Sequence, residues 1–186
     1  MGYHRSTREL LQDQTPFLLV MAALATGTGL VLRAQEASLF ERPWLLALVP
    51  VVNALGGNLG SVLGARLTSA LHLGTLEPRL TRGPLTANMG LTLGAGGTIY
   101  LLLAVVTFLV GPHLGLFPQL SFLVVLALVL GSGILLTGGV ITLSLAAALV
   151  AYRRGLDPDD IVIPLVTNAA DLLGVLILFG VSGVVL

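Results

Sequence analysis

The residue with the most to say about chemistry is Asp171. It follows Pro164, Thr167 and Asn168 in an otherwise aliphatic stretch, and no further charge follows it. On a helix, the positions seven, four and three residues before Asp171 are Pro164, Thr167 and Asn168, and three after it is Gly174. These positions share one face. A stripe carrying a hydroxyl, an amide and a carboxylate presents oxygen ligands, which suit a hard cation. The apolar run holding Asp171 begins near Ile161. Ten residues at 1.5 Å each place the carboxylate roughly 15 Å deep. A charge at that depth in a bilayer costs at least about 2.5–3.5 kcal/mol, so it faces a helix-bundle interior or a wet cavity. The alternative is a protonated or hydrogen-bonded Asp171 between helices.

A second polar cluster runs from Asn53 through Gly56, Gly57, Asn58 and Gly60 to Ser61. Non-helical backbone is tolerated at membrane depth where it lines a cavity. Pro50 and the Gly56-Gly57 pair are therefore expected to break or kink the helix and to offer carbonyl oxygens, or simply to form a glycine-rich kink. Asn53, Asn58, Ser61 and Asn88 are candidates to line a pathway, and Asp171, Thr167 and Asn168 are candidate metal ligands. Thr86, Thr92, Thr137, Thr142 and Ser144 are expected to bond backbone carbonyls. Arg66 is placed to snorkel towards headgroups or pair with a loop carboxylate. Asp157, Asp159 and Asp160 precede the last apolar run, where they cap a helix or draw cations to a pore mouth. The three histidines are scattered, cysteine is absent, and no nucleophile–base pair, phosphate loop or paired metal motif occurs. A catalytic function is therefore not expected.

The elements that must hold these residues are membrane helices. Of 186 residues, 55% are hydrophobic and only 10% charged, and the mean hydropathy is +0.99. A soluble domain of ordinary composition carries about 25% charged residues, so most of this surface must face lipid. The apolar runs are 16–32, 43–73, 84–110, 117–152 and 161–186. Each is long enough to cross a hydrocarbon layer that needs about 17–25 residues. The fold class is thus all-α, a polytopic transmembrane helix bundle of about five spans over 15–186, with 1–14 as a cytoplasmic N-terminal segment. The fourth run is kept as one long helix, since splitting it at its glycines leaves pieces too short to cross. Five spans place Arg5, Arg8, Arg79, Arg82, Arg153 and Arg154 on one side and Arg33 and Arg42 on the other. The positive-inside rule then puts the N-terminus in the cytoplasm and the C-terminus outside a cell membrane.

Two stretches resemble a known family. Leu48-Val49-Pro50, Gly56 to Ser61 and Arg66-Leu67 resemble the second membrane helix of the MgtE magnesium channels and of the related animal solute-carrier magnesium transporters. Asp157 to Asp160, Pro164 to Thr167 and Asp171-Leu172 resemble their final helix, with its acidic loop, proline, threonine and intramembrane aspartate. The resemblance implies an MgtE-like membrane domain and a divalent-cation permease, most directly for Mg2+. It implies that Asp171 matches the acidic residue near the central ion site, with Thr167 and Asn168 lining the same path. It implies a homodimer of five-helix domains, or pairing with a similar half-length subunit. No resident cofactor is expected, Mg2+ being the ion transported or bound. Ser61-Val62-Leu63 stands where the family commonly has glutamine. Only residues 1–14 precede the first span, so the family's cytosolic Mg2+ sensor is expected to be missing from this chain. A proton- or sodium-coupled exporter on the same scaffold and a non-transporting membrane subunit are the alternatives.

Overall fold

The computed structural model describes residues 7–74, 83–115 and 117–186, with the backbone alone at 7–14, 84 and 159. Its helices are α1 (Thr7–Ala34), α2 (Glu36–Glu41), α3 (Leu45–His72), α4 (Pro84–Val110), α5 (Phe122–Arg153) and α6 (Pro158–Val185). Among the described residues, five segments are long and apolar enough to span a bilayer: Thr15–Ala34, Leu45–His72, Leu85–Val110, Phe122–Arg153 and Asp160–Val185. Among the described residues there is no strand. The molecule is an all-helical, multi-pass membrane bundle.

Local chemistry sets the helix ends. Pro84 opens α4 behind Gly83, at a position whose N–H has no partner in any case. The fourth span starts at Phe122, five residues later than the apolar run at 117 predicts. Hydropathy does not register Pro118, and Ser121 supplies the cap: its hydroxyl accepts the Val124 N–H at 3.4 Å. Phe117 instead turns back onto Trp44, with ring centroids 5.8 Å apart. At the far end of α5, Gly155 adopts φ +68°. That left-handed turn lets Leu156 N–H reach the Ala151 carbonyl at 3.0 Å and Gly155 N–H reach that of Tyr152 at 3.1 Å, closing the helix before Pro158 starts the next.

Three expectations are corrected. The connector 33–42 contains the short helix α2, and helical backbone already begins at Thr7, inside the segment 1–14. Helix α3 runs unbroken through Pro50, Gly56 and Gly57. The backbone is therefore helical through this stretch, and Gly56, Gly60 and Gly64 serve close packing. Arg5, Arg79, Arg82, Leu116 and the connector 75–82 lie outside the described residues.

Helix α3 sits at the centre, packed against α6, α5 and α4; α6 also packs against α5 and α1, and α4 against α5. The α3–α6 contact is close because small residues line it. A Cβ on Gly64 would stand 2.7 Å from Val162 Cγ1, and one on Gly60 would strike Val166. Leu63, Leu67, Val140, Val162, Val166 and Leu178 are fully buried around it. The outer faces are aliphatic, with Leu19, Leu102, Leu123 and Leu135 all more than half exposed, as a surface solvated by lipid requires. Helix α1 is peripheral: of its described side chains only Met21 is buried.

Candidate functional site

Asp171 lies midway along α6, and its side chain is exposed on the surface of the single chain. One and a half turns of the same helix carry its neighbours. The Thr167 hydroxyl donates to the Ile163 and Pro164 carbonyls, each at 3.0 Å. The Asn168 amide nitrogen donates to the Pro164 carbonyl at 2.9 Å. These bonds turn the protons back along the helix. A threonine has one proton and an asparagine has its donors on nitrogen only, so Thr167 Oγ1 and Asn168 Oδ1 keep their lone pairs. Beside the carboxylate, this half-buried stripe offers acceptors, as a cation requires.

Asn53 on α3 reaches the same level from behind. It is 94% buried by its neighbours, being only 6% exposed. Its Nδ2 donates to the main-chain oxygen of Asp171 at 3.0 Å. Its Oδ1 is buried with no hydrogen-bond partner and lies where a Cβ on Gly174 would fall. Gly57, one turn along α3, faces Thr167; a Cβ there would meet Thr167 Cγ2 at 3.7 Å. The α3–α6 contact therefore gathers Asn53, Gly57, Thr167 and Asp171. Asn58 is exposed on α3, and half-buried Ser61 donates its hydroxyl to the Gly57 carbonyl at 2.8 Å. Asn88 stands elsewhere, near the start of α4, where its carbonyl accepts the Thr92 hydroxyl at 2.9 Å.

Thr92, Thr137 and Thr142 bond carbonyls four residues back, and Thr86 bonds Gly83. Ser144 also bonds a backbone carbonyl, but one on another helix. Its hydroxyl crosses from α5 to the Gly60 carbonyl of α3 at 3.1 Å, which the glycine's missing side chain leaves open. Arg66, Asp157 and Asp160 are exposed towards the end shared by the α3 C-terminus and the α6 N-terminus. Among the described residues, no three His, Asp or Glu side chains converge.

Sequence reasoning did not single out Tyr100. It is fully buried, and its hydroxyl donates to the Val52 carbonyl at 2.8 Å. Its ring covers Gly133 so closely that any Cβ there would collide with it. The available signal is a tyrosine in the middle of an apolar span, since a buried phenol needs an acceptor.

Residues 49–181 match the family model of MgtE, described as a divalent cation transporter. The chain belongs to the MgtE family. The matched stretch runs from α3 into α6 and so includes Asn53, Tyr100 and Asp171. The chain is also similar to solute carrier family 41 member 2. It is 28% identical to the human protein and 29% identical to the mouse protein, in each case over 191 aligned positions. Those alignments cover 94% of this chain but 32% of each relative, so the chain spans about a third of their length. MgtE membership assigns the chain to a family of transporters, in line with the resemblance carried by its second and final long membrane segments.

Proposed function

We propose that two copies of this chain form a pathway for Mg2+ across a cell membrane, with Asp171 of each copy near the shared axis. The observation that carries this is the exposed carboxylate at the middle of α6, on a stripe where the Thr167 hydroxyl and the Asn168 amide donate back to their own helix and leave Oγ1 and Oδ1 as acceptors. A charge in that position cannot rest against lipid. A second copy would cover it and bring a second carboxylate, and two negative charges balance a divalent ion. A contact between identical faces is the commonest symmetry for such a pair.

Mg2+ dehydrates reluctantly and keeps several of its waters. Thr167, Asn168 and the exposed Asn58 would then hold water from the hydration shell, while the carboxylates supply charge. Asn88 and Ser61 would lie along the approach. The arginine distribution supports an N-terminus in the cytoplasm and a C-terminus outside.

The test is ion flux into liposomes that contain only this protein, comparing Mg2+, Mn2+, Ca2+ and Co2+. Uptake of Mg2+ that saturates and requires the protein is the expected result. Protein-dependent proton or Na+ movement with no divalent flux would replace the permease by a different transporter.

A further inference from the structure

At the depth of Asp171, three other helices are tied to α6 by side chains that touch no lipid and carry no charge. Tyr100 of α4 packs its ring on Gly133 of α5 and donates a hydrogen bond from its hydroxyl to the Val52 carbonyl of α3, 2.8 Å away. The next residue of α3 is Asn53, whose amide holds the Asp171 main-chain oxygen at 3.0 Å and whose Oδ1 rests on Gly174. A Cβ on Gly56, at the same level, would meet the Tyr100 hydroxyl at 3.3 Å. That glycine is part of what lets the phenol reach the backbone of α3.

We propose that Tyr100 and Asn53 are positioning residues for the ion site: Tyr100 fixes the turn of α3 that carries Asn53, and Asn53 fixes the turn of α6 that carries Asp171. This rests on the proposed role of Asp171 and extends it to residues that do not touch the ion. Asn53, a candidate to line the pathway on sequence, then acts from behind the site. The physical reason is geometric. Val162 and Val166 seated against Gly64 and Gly60 fix the height of α6 on α3 at one end of their contact, and the Asn53 bond does so at the level of Asp171. A directed hydrogen bond to one carbonyl admits a single height and rotation. The carboxylate projects from the very residue whose carbonyl is held, so any slip of α6 moves it directly. Charge stabilisation depends on such placement, since a donor set that is about 1 Å out of place loses most of its advantage.

The Asn53 bond is also well chosen for this task. The Asp171 carbonyl lies inside α6, so holding it leaves both carboxylate oxygens for the ion. A direct side-chain bond from Asn53 to the carboxylate would compete with the cargo.

The test in liposomes compares wild type, Tyr100→Phe, Asn53→Ala and the double variant, with Asn53→Ser and Asp171→Asn beside them. Tyr100→Phe keeps the ring on Gly133 and removes only the hydroxyl, so it is the variant least prone to misfold. Each single variant should remain folded and dimeric and conduct Mg2+, with KM raised about three- to tenfold, the span open to the loss of one neutral hydrogen bond. The preference for Mg2+ over the larger Ca2+ should fall with it. The double variant should be no worse than the poorer single one, because both act through one turn of α6. Asn53→Ser, which can still donate, should recover part of the Mg2+ preference. A merely structural role would lower the amount of folded protein and leave KM and selectivity unmoved. Wild-type KM and selectivity in Tyr100→Phe, or additive effects in the double variant, would overturn the proposal. Asp171→Asn, run in parallel, separates the two levels. If it is inactive while Tyr100→Phe and Asn53→Ala are normal, the ion site stands and the positioning role falls. If it conducts normally, the ion site itself falls.

Discussion

The amide nitrogen of Asn53 lies 3.0 Å from the main-chain oxygen of Asp171, joining residues 118 positions apart in the sequence. On the far side of the same amide, Oδ1 occupies the space that a side chain at Gly174 would need. The two helices can come this close only because residue 174 has no Cβ.

Gly174→Ala should therefore break the Asn53–Asp171 bond and push α3 from α6. The expected loss is about 1–3 kcal/mol of stability, the usual cost of overpacking a well-filled contact. Gly183→Ala, on the same helix but with nothing within 4 Å of the new Cβ, should be close to neutral. Thermal unfolding in detergent reads both. Equal midpoints for the two variants would contradict the observed packing.

The spans were legible in the sequence because lipid imposes a length and a polarity on every crossing. Asp171 was legible for the same reason: a charge among aliphatic residues at mid-span has to be accounted for. What joins the helices was not legible. Tyr100 and Val52 are 48 residues apart, and neither position carries a local pattern that names the other. Ser144 looks in sequence like any helical serine that bonds its own turn, yet the bare backbone at Gly60 offers it a carbonyl across the helix contact. The start of α5 was misplaced because Phe117 and Leu120 extend the apolar run, while Pro118 and Ser121 decide where a helix can begin. The cluster from Asn53 to Ser61 suggested broken backbone, but its glycines are spent on close packing inside a continuous α3.

Topology can be tested by labelling, since the chain has no cysteine of its own. A single cysteine added after Leu186 should react with an impermeant thiol reagent applied outside the cell. Reaction from the cytoplasmic side alone would reverse the orientation inferred from the arginines.

The shared axis can be tested by cross-linking between copies. Asn168→Cys places a thiol on the stripe of Asp171 and should give a covalent dimer with a short bifunctional reagent. Leu102→Cys, on a lipid-facing position of α4 that is 57% exposed, should not. Efficient cross-linking at Leu102 with none at Asn168 would place the contact on another face.

The most direct measurement is Mg2+ flux through Asp171→Asn in liposomes. The substitution keeps the size of the side chain and removes its charge, twice over in a dimer. At an effective dielectric of about 20, one charge about 5 Å from a divalent ion contributes on the order of 6 kcal/mol before desolvation. Because about 1.4 kcal/mol is tenfold in occupancy, a fraction of that is enough to silence transport. Asp171→Asn should be folded and dimeric and should conduct Mg2+ at less than about a tenth of the wild-type rate. Mg2+ flux at the wild-type rate would remove Asp171 from the pathway and leave it as a polar contact between helices.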